Sequence, residues 1–231
     1  MFTRTVLMAA VLVAAPALAA ERSFPVGSFD RLAASNRADI RVSTGKTASV
    51  RAGGNEAAIE KLDVRVEDGI LKIGTRKGMN WSWGNDPLAI VVTVPMLREV
   101  RLSGSGNVVV DVVKVPGFKA GVTGSGNLQL PSVTAETSAF SVSGSGQVMA
   151  AGSSTAVSAS VAGSGDLDIG ALKARTADIS VAGSGNVTSF ASTSAVISVA
   201  GSGDVMVRGG ARCSVSKRGS GTVDCGDVSV R

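Results

Sequence analysis

The sequence of 231 residues contains no histidine and no tyrosine. The lack of histidine excludes Ser-His-Asp and Cys-His nucleophilic mechanisms, and every metal site that uses an imidazole ligand. The two cysteines are too few for a structural zinc site. A Ser-Lys mechanism stays open in principle, but the serines recur in repeated columns, which favours a packing role. No convincing catalytic constellation, cofactor site or metal site is therefore predicted.

Long apolar runs and clusters of like charge are also missing. No stretch after the N-terminal segment reaches the ~18 uninterrupted apolar residues of a membrane helix, so an integral membrane protein is not predicted. The formal net charge is +5, but the basic residues are scattered, with only short pairs such as Lys217-Arg218. Without a basic run or interleaved aromatic residues, nucleic acid is not a predicted partner.

Residues 1–20 have the features of a secretory signal peptide. Arg4 supplies a short positive region, residues 6–15 are apolar, and residues 17–19 read Ala-Leu-Ala, a typical cleavage site. This segment predicts an exported protein, periplasmic or extracellular, and it is left out of the fold.

The tripeptide Gly-Ser-Gly recurs through the rest of the chain. Its copies begin at Gly104, Gly124, Gly144, Gly163, Gly183, Gly201 and Gly219, at intervals of 20, 20, 19, 20, 18 and 18 residues. A fixed period of this kind is typical of a solenoid in which each repeat forms one structural unit.

Apolar residues alternate with small or polar ones on both sides of each tripeptide. Two residues before the first glycine stand Leu102, Val122, Val142, Val161, Val181 and Val199, and four residues after it stand Val108, Leu128, Val148, Leu167, Val187, Val205 and Val223. A period of two predicts strands, so each repeat is a strand, a Gly-Ser-Gly corner and a second strand. Stacked repeats, here called rungs, bury their apolar stripes against one another.

The residue after each tripeptide can form hydrogen bonds through its side chain and tolerates turn geometry. Stacked in register, these residues are predicted to form a polar row along one edge of the solenoid. We call this row the corner ladder: Asn107, Asn127, Gln147, Asp166, Asn186, Asp204 and Thr222.

The repeated Gly-Ser-Gly-Asn/Asp blocks resemble the bacterial family described as putative auto-transporter adhesin, head GIN domain, a domain of unknown function. The resemblance covers about Phe29 to Val228. It implies a right-handed parallel β-helix-like fold, with rungs of 18 to 20 residues, in an exported protein. It brings no catalytic residue with it.

Residues 21–95 lack the tripeptide but keep strands of similar length. Pairs such as Ile40/Val42 and Leu71/Ile73 alternate as in strands, and residues 55–62 allow one or two helical turns. We interpret this region as divergent first rungs or a small β-rich cap, continuous as one domain with the regular repeats of residues 96–231.

Trp81 and Trp83 are the only tryptophans and would point the same way on an extended segment. They form either a ligand platform, for sugar stacking or a membrane interface, or an apolar plug over the solenoid. The plug is the preferred interpretation.

Cys213 and Cys225 lie six residues before and six residues after Gly219, so both are predicted to point inward on the strands that flank one corner. In an oxidising compartment this arrangement predicts a disulfide across the terminal rung. Two buried free thiols are the alternative.

The local charge group of Asp166, Asp168, Lys173 and Arg175 supports an alternative function. Two carboxylates two residues apart on one strand share a face, as in a carbohydrate-active β-helix enzyme. The glycines do not match a dinucleotide-binding loop, and the ladder has too few carboxylates for a typical calcium site. The preferred function is an exported, non-enzymatic β-solenoid, binding or structural, in the bacterial cell envelope. Its partner is unknown, a glycan or a protein of the envelope.

Overall fold

A computed structural model describes residues 20–35, 37–78, 88–226 and 228–230, the last three through their backbone alone. Within these ranges the strands are hydrogen-bonded into one sheet that winds around a continuous apolar core. Residues one repeat apart pair in parallel, as Val142 does with Val122 on one side and Val161 on the other. The predicted all-β solenoid of parallel rungs is confirmed.

The described part of the chain contains one short helix and 21 strands. Their bounds are β1 Ala20–Phe24, β2 Arg31–Ala34, β3 Asp39–Thr44, β4 Ser49–Gly54, α1 Glu56–Glu60, β5 Leu62–Glu67, β6 Ile70–Thr75, β7 Leu88–Val94, β8 Glu99–Gly104, β9 Asn107–Val110, β10 Val113–Lys114, β11 Gly117–Gly124, β12 Asn127–Gly144, β13 Gln147–Gly163, β14 Asp166–Lys173, β15 Thr176–Gly183, β16 Val187–Phe190, β17 Ser194–Gly201, β18 Val205–Arg208, β19 Arg212–Arg218, β20 Val223–Cys225 and β21 Val228–Val230.

Each regular rung has two main sides. The strand segments that end at a Gly-Ser-Gly corner stack as the pre-corner face, which includes β8, β11, the second halves of β12 and β13, β15, β17 and β19. The segments that begin after the corner stack as the post-corner face, which includes β9, the first parts of β12 and β13, β14, β16, β18 and β20. The corner ladder lies at the start of the post-corner face.

The inward columns are buried as the alternation predicts. Val122, Val142, Val161, Val181 and Val199 are each 1–2% exposed. The serines one residue earlier, at 141, 160, 180 and 198, are exposed. One-residue alternation therefore separates core from surface on the pre-corner face, as expected for strands with one buried side.

The two glycines of a corner are required for different reasons. Gly144 has a φ of +114°, and a Cβ atom there would lie 2.5 Å from the carbonyl oxygen of Gly124. At Gly146 a Cβ atom would lie 2.5 Å from the carbonyl oxygen of Gly126. The first glycine thus provides both left-handed backbone and space, and the second provides space alone. The corners approach closely enough for the Ser145 amide to donate to the Gly124 carbonyl oxygen at 2.9 Å.

A third, short side closes each rung, which the two-strand repeat did not anticipate. It is formed where β10 pairs with Val133 and Thr134, which in turn pair with Gly152 and Ser153. The register shifts just before this side, between Leu130 and Val133 in β12. These irregular turns absorb the differences in repeat length.

The order of rungs in space differs from their order in the chain. Strands β2 and β3 form a rung that pairs with β8 and β9 on one side. On the other side the same two strands pair with β6 and β7. The β2–β3 rung therefore lies between two rungs that follow it in the sequence. These pairings join strands of the N-terminal region and of the regular repeats in one sheet.

Antiparallel strands cover the N-terminal end. Strand β5 pairs with β6, β4 with β7, and β1 with β4. Ala20, which the sequence placed in the targeting segment, is the first residue of β1 and pairs with Gly54. The predicted helical turns form α1, whose N-cap Asn55 accepts hydrogen bonds through Oδ1 from the amides of Ala57 and Ala58. Additional strands of this kind protect sheet edges from unwanted pairing.

The C-terminal end is less covered. Strand β19 pairs with β17, and its other edge has no partner strand among the described residues. Lys217 occupies the position held by valine in earlier rungs and is half-buried. Its Nζ donates to the carbonyl oxygen of Gly221 at 2.7 Å, so this ammonium group bonds to the last residue of its own corner.

Candidate binding surface

A groove of about 600 Å³ crosses the pre-corner face near the start of its strands. It is bordered by residues of β2, β8, β11, β12, β13, β15 and β17, so it runs along the solenoid axis and across the strands. With rungs ~4.8 Å apart, these strands span roughly 29 Å. We call this feature the pre-corner groove.

The groove exists because small residues occupy the outward positions of successive rungs. Ala139, Ala156 and Ser158 lie along its centre, and the buried Phe118 and Val157 also border it. A second depression of about 400 Å³ continues towards the corners and shares residues such as Ala139 and Ser158 with it. Bulky side chains at these positions would fill both depressions.

Charged residues gather at the end of the groove nearest the N-terminal cap. Arg31 and Arg98 both pair with Asp30, at 3.5 Å and 3.3 Å. Glu99 pairs with Arg101 at 2.5 Å. Lys119 lies beside them in the groove, and among the described residues no carboxylate is within ion-pair distance of its Nζ. This end of the groove therefore carries an excess of positive charge.

The other end of the groove is apolar at its margin. Val196 is 55% exposed, the largest exposure among the large hydrophobic side chains described. It is in cross-strand register with Asp178, which also lines the groove. Exposed apolar side chains next to a depression are typical of binding surfaces.

The corner ladder residues lie at the start of successive post-corner strands, and hydrogen bonds join most of them. The Asn127 Nδ2 donates to the Asn107 Oδ1 at 2.9 Å. In the later rungs, Asp166 accepts from Asn186 at 3.0 Å, and Asn186 in turn accepts from the Asp204 amide at 3.1 Å. Gln147 is in register between these two groups, but among the described hydrogen bonds its side chain has no ladder partner. The ladder is thus two hydrogen-bonded segments.

The corner ladder has one further member that the sequence pattern did not predict. Asp39 pairs in register with Asn107 and accepts a hydrogen bond from its Nδ2 at 2.7 Å. It precedes Ile40 and Val42, and a similar apolar alternation follows most of the other ladder residues. That alternation could have identified Asp39 as a ladder residue. It was not used, because no Gly-Ser-Gly tripeptide precedes Asp39.

Asp204 is a ladder carboxylate that accepts two hydrogen bonds from Thr222. The Thr222 hydroxyl, and then the Thr222 backbone amide, donate to it and hold the pKa of Asp204 below its ordinary value of 3.8. Hydrogen bonds to a carboxylate favour its charged form. Asp204 is therefore a fixed acceptor for the terminal rung.

The charged residues proposed for the alternative enzymatic function make separate local contacts. Asp166 belongs to the ladder, and the Asp168 Oδ1 accepts from the Gly170 amide at 3.2 Å. Lys173 places its Nζ 4.0 Å from the centre of the Phe190 ring. Arg175 accepts a hydrogen bond at its backbone carbonyl from Thr193. The two carboxylates share the outer side of β14, but among the described residues no ion pair joins either of them to Lys173 or Arg175.

Cys213 and Cys225 form the predicted disulfide. Their Cα atoms are 6.5 Å apart, within the usual range for a bridge. Cys225 is 4% exposed and Cys213 is half-buried, so the bridge closes the terminal rung from inside.

Some predicted features lie outside the described residues. They are Trp81 and Trp83, together with residues 1–19 of the proposed signal peptide. Among the residues that are described, no group of three or more acidic or cysteine side chains could hold a metal ion. The same part of the chain has no helix with the length and apolar character needed to span a membrane.

The family described as putative auto-transporter adhesin, head GIN domain, matches residues 28–211. The chain belongs to this family. The match covers the first six Gly-Ser-Gly corners, most of the N-terminal region and the whole pre-corner groove. Among curated protein sequences, none matches the chain.

Solved structures of similar fold support the same architecture. A putative adhesin from Bacteroides fragilis is 22% identical, with a TM-score of 0.82 over 89% of this chain and 96% of that one. A putative lipid binding protein from Parabacteroides distasonis is 21% identical, with a TM-score of 0.73 over 90% and 97%. A putative adhesin from Parabacteroides merdae is 15% identical, with a TM-score of 0.71 over 90% and 96%. At these identities the likeness concerns the fold.

Proposed function

We propose that this protein is an exported, non-enzymatic binding module of the bacterial cell envelope, and that its ligand lies along the pre-corner groove. The groove carries the proposal, because it is a long depression with small residues along its length, a charged end and an exposed apolar margin. Sites for ligands are commonly concave, mainly apolar and marked by a few polar groups.

Export is supported by two independent features. Residues 1–20 have the sequence of a signal peptide, and the Cys213–Cys225 bridge suits an oxidising compartment such as the periplasm or the cell exterior. Membership of an adhesin-type family is consistent with both.

A binding role is favoured over carbohydrate cleavage by the placement of the acidic residues. Asp166 and Asp168 are on the post-corner face, away from the pre-corner groove, and each accepts a local hydrogen bond. Envelope glycans and proteins stay candidate ligands. Lipids join them, because one protein of similar fold is described as a putative lipid binding protein and the groove is largely apolar.

The test compares how the exported protein and a variant with a bulky side chain in the groove bind to isolated cell envelopes. Ala139→Trp adds a large side chain at the centre of both depressions. Thr188→Trp, at a half-buried outward position of the post-corner face, is the matched control. We expect Ala139→Trp to abolish binding and Thr188→Trp to preserve it. Equal binding by the two folded variants would overturn the proposal.

The non-enzymatic part has its own test. Envelope polysaccharides incubated with the protein should keep their length, with or without the double change Asp166→Asn and Asp168→Asn. Cleavage that this double change removes would establish the enzymatic alternative.

A further inference from the structure

The strands beneath the pre-corner groove have already used their backbone hydrogen-bonding groups. Strand β11 pairs with β8 and β12, and β15 pairs with β13 and β17. Because the groove crosses these strands, a peptide in it would find no free sheet edge to extend. Recognition of an extended peptide by strand addition needs such an edge.

A glycan would also find little of what usually holds a sugar ring. Among the residues that the structure describes, the one aromatic side chain that borders the groove is Phe118, which is 1% exposed. Apart from the charged end and Asp178, the polar side chains are single hydroxyl groups such as those of Thr137, Thr176 and Ser194. A hydrocarbon chain needs neither a free strand edge nor an exposed ring, and it gains from contact with apolar surface.

The charges indicate which way such a chain would lie. Lys119 is at the cationic end with no ion-pair partner among the described residues, whereas Val196 is exposed at the other end. An acidic head group at Lys119 would be complementary in charge, and its chain would run towards Val196 across about four rungs, roughly 19 Å.

We infer that the pre-corner groove binds a single-chain anionic amphiphile, such as a fatty acid, with its acidic group at Lys119 and its acyl chain towards Val196. This inference rests on the proposed function and names its ligand class. The carboxylate of Asp178 lies beside the path of the chain, where it opposes both the anionic ligand and the apolar contact.

The experiment is a titration of the exported protein with palmitate, and with palmityl alcohol as the uncharged counterpart. We expect one palmitate to bind per protein and palmityl alcohol to bind more weakly. Lys119→Gln should weaken palmitate binding by about two- to fivefold, the effect of losing one partly exposed ion pair. Lys114→Gln removes the same charge at an exposed position of β10 and should change nothing.

Three further variants test the position of the acyl chain. Val196→Asp should weaken palmitate binding, whereas Met206→Asp, an exposed apolar position on the post-corner face, should not. Asp178→Asn should strengthen it. These positions are exposed, so the variants are expected to fold, and their circular dichroism provides the check.

The source of the amphiphile is tested with vesicles of phosphatidylglycerol. If the groove binds a single acyl chain, binding of free palmitate should be saturable. Any binding to the vesicles should then be independent of the groove residues. Vesicle binding that Lys119→Gln weakens, without palmitate binding, would replace the free amphiphile with a membrane surface and overturn the inference. Equal affinity for palmitate and palmityl alcohol would also overturn it.

Failure of this inference is distinguishable from failure of the proposed function. If envelope binding depends on Ala139 but palmitate does not bind, the groove has a different ligand. If Ala139→Trp leaves envelope binding intact, the envelope ligand does not bind in the pre-corner groove and the proposed function fails.

Discussion

Oδ1 of Asp204 accepts two hydrogen bonds from Thr222, one from the hydroxyl and one from the backbone amide, each 2.7 Å long. The two residues follow successive corners, so these bonds tie the last corner to the one before it. The carboxylate is largely exposed, yet both bonds favour its ionised form and lower the pKa of Asp204.

This relationship predicts a dependence of stability on pH. Because the pKa of Asp204 is lower in the folded protein than in the unfolded chain, its contribution is present above its ordinary value of 3.8 and is lost as the pH falls through the folded value. Asp204→Asn keeps an acceptor but removes the charge. We expect it to lower the free energy of unfolding near neutral pH and to converge with the wild type at strongly acidic pH. Urea unfolding across a pH series measures this, with Asp178→Asn as the control; a difference independent of pH would contradict it.

The break in the corner ladder at Gln147 allows a comparison between two amide side chains, those of Asn127 and Gln147. Asn127→Ala removes the hydrogen bond to Asn107 and should lower the free energy of unfolding by up to ~1 kcal/mol. Gln147→Ala should have a smaller effect, because no ladder hydrogen bond to that side chain is described. Chemical denaturation of both variants decides. Equal losses would mean that the ladder stabilises through packing, and loss of ligand binding by Asn127→Ala at full stability would give the ladder a binding role.

The inward columns predict the effect of a buried charge. Val161 is 1% exposed and lies between Val142 and Val181 in the stack. Val161→Asp should cost about 3–5 kcal/mol, as when a buried charge is left uncompensated, and should unfold the solenoid or prevent its recovery. Ser160→Asp, one residue away and exposed, should fold normally by circular dichroism and thermal unfolding. A cooperative, fully folded Val161→Asp protein would be incompatible with the register.

The terminal disulfide predicts sensitivity to reductant. The bridge closes a short loop, with its cysteines 12 residues apart in sequence, and the chain-entropy model gives roughly 3 kcal/mol for such a bridge. Reduction, or the double change Cys213→Ser and Cys225→Ser, should lower the free energy of unfolding by this order, and the double variant should no longer respond to reductant. Mass spectrometry after unfolding and alkylation without reductant should find both thiols protected; alkylation at both positions would show that the bridge is absent.

The regular rungs could be predicted because a strand with one buried side has a period of two, and the corner imposes glycine. Val142 and Gly144 carry those two signals, and both recur. The pairing of Cys213 with Cys225 followed from the same inward columns.

The groove and the N-terminal rungs could not be predicted in the same way. The groove depends on the absence of bulk at outward positions such as Ala139 and Ala156, where small residues satisfy any exposed strand. The place of β2 and β3 depends on partners distant in sequence, and no tripeptide marks their corner. Local patterns predict an element and its buried side, whereas its neighbours are set by the whole chain.

The position of the β2–β3 rung has a consequence for the order of assembly. During synthesis from the N-terminus, residues 31–44 are made before β6 to β9, the strands that pair with them on both sides. The regular repeats differ, because each rung stacks on the one just before it and closes short loops. We therefore expect amide hydrogen-exchange pulses during refolding to protect residues 107–201 before residues 31–44, and the reverse order would contradict this. The β2–β3 rung can therefore complete its strand pairing only after segments that follow it in the chain are available.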